Sequence, residues 1–317
     1  MRMIPLEYQM SFTSPAFLGN ASQNGQWRNP PIKASMRQWW RVAYAAAHAF
    51  KVDVAIMRNN EGALFGAASG NDMNRSLVRL RLDKWSPGSL GKDQRVKDDL
   101  QVSHPEVSGK SRIGSGLYLG YGPFNKDVNA IQAGESASLE IAAPEEHRPL
   151  VQQSLALMHY YGTLGGRSLN GWGSFDLTPR GDESRFDLSG VPLRPWREAL
   201  SLDWAHALGR DDRPLVWQTA PFDNWRLAMQ RLAEIKIGLR TRFKFPAERT
   251  PHERPQMRHW LSYPVTRHTV KEWGDKRLPN TLRFKVRRDP VDAEKLRGVI
   301  FHVPCRPPQQ FKPDAIV

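Results

Sequence analysis

Alternation opens the chain: Ile4, Leu6, Tyr8, Met10 and Phe12 are apolar at a period of two, which predicts a strand with one buried face. Ser14-Pro15 marks its end, and a polar loop rich in Gly, Asn and Gln follows over residues 19–29. Pro30-Pro31 suits a helix start, because N–H groups in a first turn have no intrahelical acceptor to lose. Residues 32–50 predict that helix. Ile32, Met36, Trp40, Tyr44 and His48 recur at steps of four as its buried row, with Lys33, Arg37 and Arg41 in a basic row beside it. Residues 77–82 alternate again, with Val78, Leu80 and Leu82 opposite Arg79 and Arg81. Residues 84–110 are polar and aperiodic and read as an inserted, partly mobile loop.

A strand is predicted over 138–141, an amphipathic helix over 149–161 and a strand over 174–178, the last reached through a Gly-rich run at 162–173. Strand, helix, strand, strand, helix, strand is the order of a ferredoxin-like unit, which RNA-recognition modules also use. The expected class is therefore α+β, with one such unit over residues 1–180. A linker rich in Gly, Asp and Ser follows at 180–190. Residues 224–239 predict a helix with Leu227, Leu232, Ile235 and Leu239 in its core. Leu282, Phe284 and Val286 alternate with Arg283, Lys285 and Arg287, a strand with one basic face, and 298–303 form a second strand. Residues 181–317 are read as a second, degenerate ferredoxin-like unit in tandem with the first.

Charge changes the picture. The 317 residues carry a formal net charge of +14, and residues 226–288 hold seventeen Lys or Arg against five Asp or Glu. Cations this dense repel one another unless a polyanion screens them, which favours a phosphate-binding face over a merely solvated one. Eleven Trp residues add flat rings, several beside arginine, as in Trp27-Arg28, Trp40-Arg41, Trp196-Arg197 and Trp225-Arg226. Rings and guanidinium groups together suit unpaired bases and phosphates, although each pair also fits a half-buried Trp at a core rim. The lone Cys305 excludes an intrachain disulfide and a cysteine-rich zinc site, so no metal or cofactor is expected. No stretch approaches the roughly twenty apolar residues of a membrane span, and a cytoplasmic protein without a membrane partner is expected.

Four segments then match one family. Pro31 to Arg41 reads PIKASMRQWWR; Glu61-Gly62-Ala63-Leu64-Phe65-Gly66 follows; then come Gly120-Tyr121-Gly122-Pro123 and Gly165-Gly166-Arg167-Ser168-Leu169-Asn170-Gly171-Trp172-Gly173. In this order they resemble the Cmr-one family of RAMP proteins over roughly the first 180 residues. The resemblance implies a subunit of a type III-B CRISPR effector, an RNA-guided complex that captures and destroys foreign RNA. It also implies a place near the 3′ portion of the guide (crRNA), contact with single-stranded target RNA, sibling RAMP subunits as partners, and no cutting role.

The residues themselves offer matching chemistry. Lys33, Arg37 and Arg41 would stand about 6 Å apart along one helix stripe, close to the phosphate spacing of a single strand. Trp39 is the expected base-stacking ring and Trp40 a core residue. Gly165, Gly166, Gly171 and Gly173 would leave main-chain N–H groups open to a phosphate, with Arg167 and Ser168 beside them, or would serve only a tight turn. Arg283, Lys285 and Arg287 complete the expected RNA-binding set. No catalytic residue is assigned. The alternatives are a RAMP endoribonuclease using His48 or Asp72, and a protein scaffold of the complex.

Overall fold

The period of two in the first twelve residues does build a strand. In a computed structural model describing residues 2–68, 74–106, 111–181, 186, 190–246, 250–278 and 280–312, β1 (Met3–Phe12) buries every second side chain from Ile4 to Phe12. It is the centre of an antiparallel sheet with β2 (Arg79–Leu82), β5 (Ser136–Pro144) and β6 (Phe175–Pro179), in the order β2-β5-β1-β6. Two helices, α1 (Asn29–Ala47) and α5 (Arg148–Tyr161), pack together over it, and Ser154 Oγ donates to Met36 O at 2.8 Å between them. Strand order and helix placement are those of a β-α-β-β-α-β unit.

Helix α1 begins three residues before the predicted start and ends at Ala47, with His48 as its C-cap. There the exposed His48 ring stacks on Tyr44, centroids 4.0 Å apart, and Nδ1 lies 2.8 Å from Tyr44 O, so His48 finishes the helix rather than extending its buried row. A second helix that periodicity did not announce, α2 (Val54–Phe65), is started by Asp53, whose side chain accepts from Ala55 N and Ile56 N.

The segment read as a mobile loop is ordered wherever it is described; residues 107–110 lie outside the described residues. It forms α3 (Lys92–Lys97) and β3 (Gln101–Ser103), and β4 (Arg112–Gly114) and α4 (Ser115–Gly120) follow it. Arg95, 3% exposed, fastens it by donating to Leu90 O, Val128 O and Lys126 O at 2.7–3.1 Å. Asp99 accepts from Gly116 N and Leu117 N at 2.6 and 3.0 Å.

Beyond residue 190 come β7 (Leu193–Pro195), α6 (Trp196–Ala199), β8 (Leu208–Arg210), β9 (Val216–Gln218), α7 (Trp225–Arg242), α8 (Met257–Leu261), β10 (Leu282–Arg288) and β11 (Leu296–His302). Strands β9, β10 and β11 form an antiparallel sheet ordered β10-β11-β9, and α7 packs on it. Helix α7 buries Ala228, Met229, Leu232, Ala233 and Ile237; of the predicted core positions only Leu232 is fully buried, and Leu227, Ile235 and Leu239 stay partly exposed. The two halves share their cores: Val299, Phe301 and Val303 join the cluster under α1 and α5, while Phe17 and Trp172 join the cluster under α7.

Lys285 corrects the expectation of a basic strand face. It is fully buried, and Nζ donates to Met158 O, His159 O, Gly162 O and Phe175 O at 2.7–3.2 Å. A β10 ammonium thus closes the C-terminus of α5, where carbonyls lack intrahelical partners and the helix dipole favours a cation. Arg283 is half-buried, its pKa lowered to about 10 by burial, and the Arg287 guanidinium lies over the Tyr160 ring at 5.3 Å. Lys285 and Arg287 thus tie the second sheet to the first unit, and the row does not present three open cations.

Candidate nucleic-acid interface

Helix α1 turns its basic row toward α2, where one carboxylate organises it. Glu61, 3% exposed, accepts from Arg37 Nε at 2.7 Å and from Arg41 Nε and an Arg41 terminal nitrogen at 2.6 and 2.8 Å. Lys33 Nζ donates to Ser76 Oγ at 2.6 Å. Both arginines face a cavity of about 700 Å³ together with Arg58, Asn74 and Trp204. The row is therefore not three freely solvated cations. Glu61 spends part of each arginine's donor set and fixes the direction of the rest.

Burial alone would raise the Glu61 pKa, but hydrogen bonds from Arg41 and Arg37 hold it below the usual range. A depressed folded pKa gives stability that is complete above the unfolded value and is lost as pH falls through the folded one. Glu61→Gln is expected to be less stable than the parent at pH 7, with the gap narrowing as pH falls below 4.5. Urea unfolding at both ends of that range measures it; a gap independent of pH would disprove the ionic account.

Trp39 is a correction. It is 3% exposed and packs against Tyr161, ring centroids 6.1 Å apart, so its face is closed to a base. Trp40 is core, as expected, at 2% exposure. A helix carrying Trp at successive positions between a sheet and a second helix buries both.

The Gly-rich loop also departs from the expected open cradle. Gly166 N–H donates to Phe17 O, Gly171 N–H to Ser168 O and Gly173 N–H to Pro15 O, at 2.8–3.1 Å, so these three donors are already engaged. Gly165 has φ +89°, and a Cβ there would stand 2.5 Å from Phe17 O; at Gly173 one would stand 1.8 Å from Leu164 O. Close backbone approach is what these glycines provide. Ser168 is half-buried within the turn. Arg167 alone reaches out of the loop, exposed, at φ +57°. Its guanidinium lies beside Gly122, where a Cβ would be 3.6 Å from it. Two of the four motifs thereby meet on one surface, next to Tyr121, which is 64% exposed.

Helix α7 extends that surface with residues the sequence reading missed. Lys236 Nζ donates to Asn170 Oδ1 of the Gly-rich loop at 2.7 Å and lies over the Tyr118 ring at 5.9 Å. Its pKa is lowered to about 7, first by burial, then by Arg240 and Arg167. Among the described residues no carboxylate pairs with it. Arg240, one turn on, donates to Ser262 Oγ at 3.3 Å, and Arg258 of α8 forks Glu106 at 2.7 and 2.8 Å. Glu106 pairs with Arg258 and acts electrostatically on Arg240, while Arg240 and Arg167 are the charges that act on Lys236. Lys236 and Arg240 stand four apart on the helix, a spacing legible in the sequence had the basic excess been mapped onto helix faces.

The family match falls on the first part of the chain. The RAMP superfamily model covers residues 10–176, more than half of the sequence, and spans α1, α2 and the Gly-rich loop. The chain belongs to the RAMP superfamily. Its RAMP fold continues past that match: the crystal structure of Cmr1 from Pyrococcus furiosus in its apo form aligns over 94% of this chain and 87% of its own, with a TM-score of 0.52 and 16% identity. A chain of a type IV-B CRISPR complex aligns over 63% of this RAMP protein and 100% of its own, at 14% identity and a TM-score of 0.34. A chain of the type III-B Cmr-beta complex bound to cognate target RNA aligns over 56% of this one and 59% of its own, at 13% identity and a TM-score of 0.30. No curated protein matches the sequence. Among the described residues no helix is long and apolar enough to cross a membrane, and no cluster of three or more His, Cys, Asp or Glu is placed to hold a metal ion.

Proposed function

We propose that this RAMP protein is a non-catalytic RNA-binding subunit of a type III CRISPR effector complex, engaging crRNA and single-stranded target RNA beside sibling RAMP subunits in the cytoplasm. One observation carries the reading: Lys236 is held against Asn170 of the Gly-rich loop with Arg167 and Arg240 as its neighbouring charges, and among the described residues no carboxylate pairs with it. A half-buried cation without a counter-charge is costly, and a phosphate anion relieves that cost. Such contacts ignore sequence, which suits a protein that must accept any guide. The α1 cleft, with Arg37 and Arg41 aimed by Glu61, is a second phosphate-binding surface in this reading. The β9-α7-β10-β11 segment is read as a degenerate ferredoxin-like unit in tandem with the first, the units meeting near residue 180.

The ribonuclease alternative would rest on His48 or Asp72. His48 ends α1 stacked on Tyr44, and Asp72 lies outside the described residues. Binding of a labelled single-stranded RNA across a salt series tests the proposal. Each neutralised phosphate contributes about −0.7 to the log–log slope, so three or four contacts give about −2 to −3 with the RNA intact. RNA cleavage abolished by His48→Ala or Asp72→Ala would overturn the non-catalytic reading, and a flat salt dependence would favour the scaffold.

Tyr121 replaces Trp39 as the stacking ring. Tyr121→Ala is expected to weaken RNA binding by about 1–2 kcal/mol without loss of thermal stability. Unchanged affinity would remove Tyr121 from the interface.

A further inference from the structure

The second sheet is an interrupted copy of the plan of the first. In the first unit the chain runs β1, α1, β2, β5, α5, β6, and the sheet order is β2-β5-β1-β6. In the second it runs β9, α7, β10, β11, and the order β10-β11-β9 repeats β2-β5-β1. Counterparts of α5 and β6 do not follow among the described residues; after β11 there is only a short 3-10 turn, Gln309–Phe311. Among the described residues, two places that the first unit fills are open. One is the sheet face beside α7, where α5 would lie. The other is the outer edge of β9, where β6 would pair.

Apolar side chains line the first of these places. A groove of about 750 Å³ runs between α7 and the sheet, with Ile235 and Leu239 on the helix wall and Leu282, Ile300 and Trp217 on the sheet wall. Trp217 and Ile300 are cross-strand partners, so both point to the α7 side, and Ile300 belongs to the cluster packed under α7. Trp217, on the open edge strand, is 49% exposed. Ile235 and Leu239, two positions whose helical spacing predicts core, stay partly exposed in this groove, which Trp260 and Leu261 of α8 also line. No carboxylate lines the groove; its charged rim is Arg231, whose pair with Glu234 is solvent-exposed and contributes little. The chain as a whole carries +14.

We infer that this groove is a docking site for an amphipathic helix of another protein, apolar on one face and acidic on its flanks, which takes the place beside α7 that α5 takes beside α1. The β9 edge then offers its free N–H and C=O groups to a strand of the same partner. The inference rests on sheet topology and the groove, not on the RNA reading, and it assigns the two surfaces to different partners.

The test uses the full chain and a labelled, stapled 14-residue peptide of the length of α5, with Leu on one face and Glu on both flanks. Fluorescence anisotropy is expected to show saturable binding, weakened about tenfold or more by Trp217→Ala and by Leu239→Asp. RNA affinity of both variants stays at the parent value. Trp217→Ala alters an exposed side chain, so loss of the fold does not confound it. Equal binding of a scrambled peptide, indifference to both substitutions, or displacement of the peptide by RNA would each overturn the inference. So would self-association of the free chain abolished by Trp217→Ala, which would make a second copy the occupant.

Discussion

Lys285→Met is expected to lower the unfolding free energy by about 3–5 kcal/mol, the scale for removing one partner from a buried charged network. The methionine fits the volume but donates nothing, and four carbonyls lose their shared donor. Three of them, from Met158, His159 and Gly162, end α5 or directly follow it, and the fourth, from Phe175, opens β6. Asp176, 4% exposed, also loses the cation that most opposes its burial, while Arg288 Nε pairs with it at 3.3 Å. Burial drives both members of the pair toward neutrality, Lys285 downward and Asp176 upward, and their mutual attraction opposes this. Urea titration measures the loss. Asp176→Asn added to Lys285→Met should recover part of it, since the stranded charge is then gone. A Lys285→Met protein as stable as the parent, still binding RNA weakly, would return Lys285 to the RNA-contacting set.

Joint replacement of Lys236 and Arg240 by alanine is expected to weaken single-stranded RNA binding about a hundredfold, each charge-assisted contact contributing about 1.5–3 kcal/mol. The salt slope should flatten by about 0.7 per lost phosphate contact. Lys236 gives the effect a pH signature. Its pKa in the free protein is about 7 against an ordinary 10.5. A bound phosphate raises it again, so binding takes up a proton between those values, and affinity falls as pH rises through that window. Below pH 7 the residue is charged in both states and the dependence vanishes. Lys236→Arg keeps the charge throughout and should remove the slope. A wild-type affinity that is flat from pH 7 to 10 would detach Lys236 from the RNA.

What the sequence made legible followed from local pattern. Alternation located β1, β2 and β10, and the four-residue step located α1, so the first βαββαβ unit and its α+β class were readable from residues alone. The insertion was not, because its order comes from Arg95 reaching carbonyls 29–33 residues away and from Asp99 holding the start of α4, contacts that leave no period. Lys285 misled for the same reason. Alternation correctly placed it opposite Phe284 and Val286, but a two-sided strand between cores buries both faces, and its ammonium is satisfied by carbonyls from another unit. Of the residues in the proposed interface, Arg37, Arg41 and Arg167 were named from the sequence. Trp39 was assigned to the wrong side of its helix, and Lys236 and Arg240 were counted in the basic excess without being placed. Glu61 lay in a matched motif, yet its pairing with Arg37 and Arg41 depends on how α2 folds against α1.

Ultraviolet crosslinking of the purified chain to a labelled single-stranded RNA, followed by mass spectrometry of the attached peptides, tests the central claim most directly. The account predicts attachment at Tyr121, within the loop around Arg167 and along the Lys236–Arg240 face of α7. Crosslinks confined to other surfaces, such as the Trp217 groove, with none at the Gly-rich loop or α7, would contradict it.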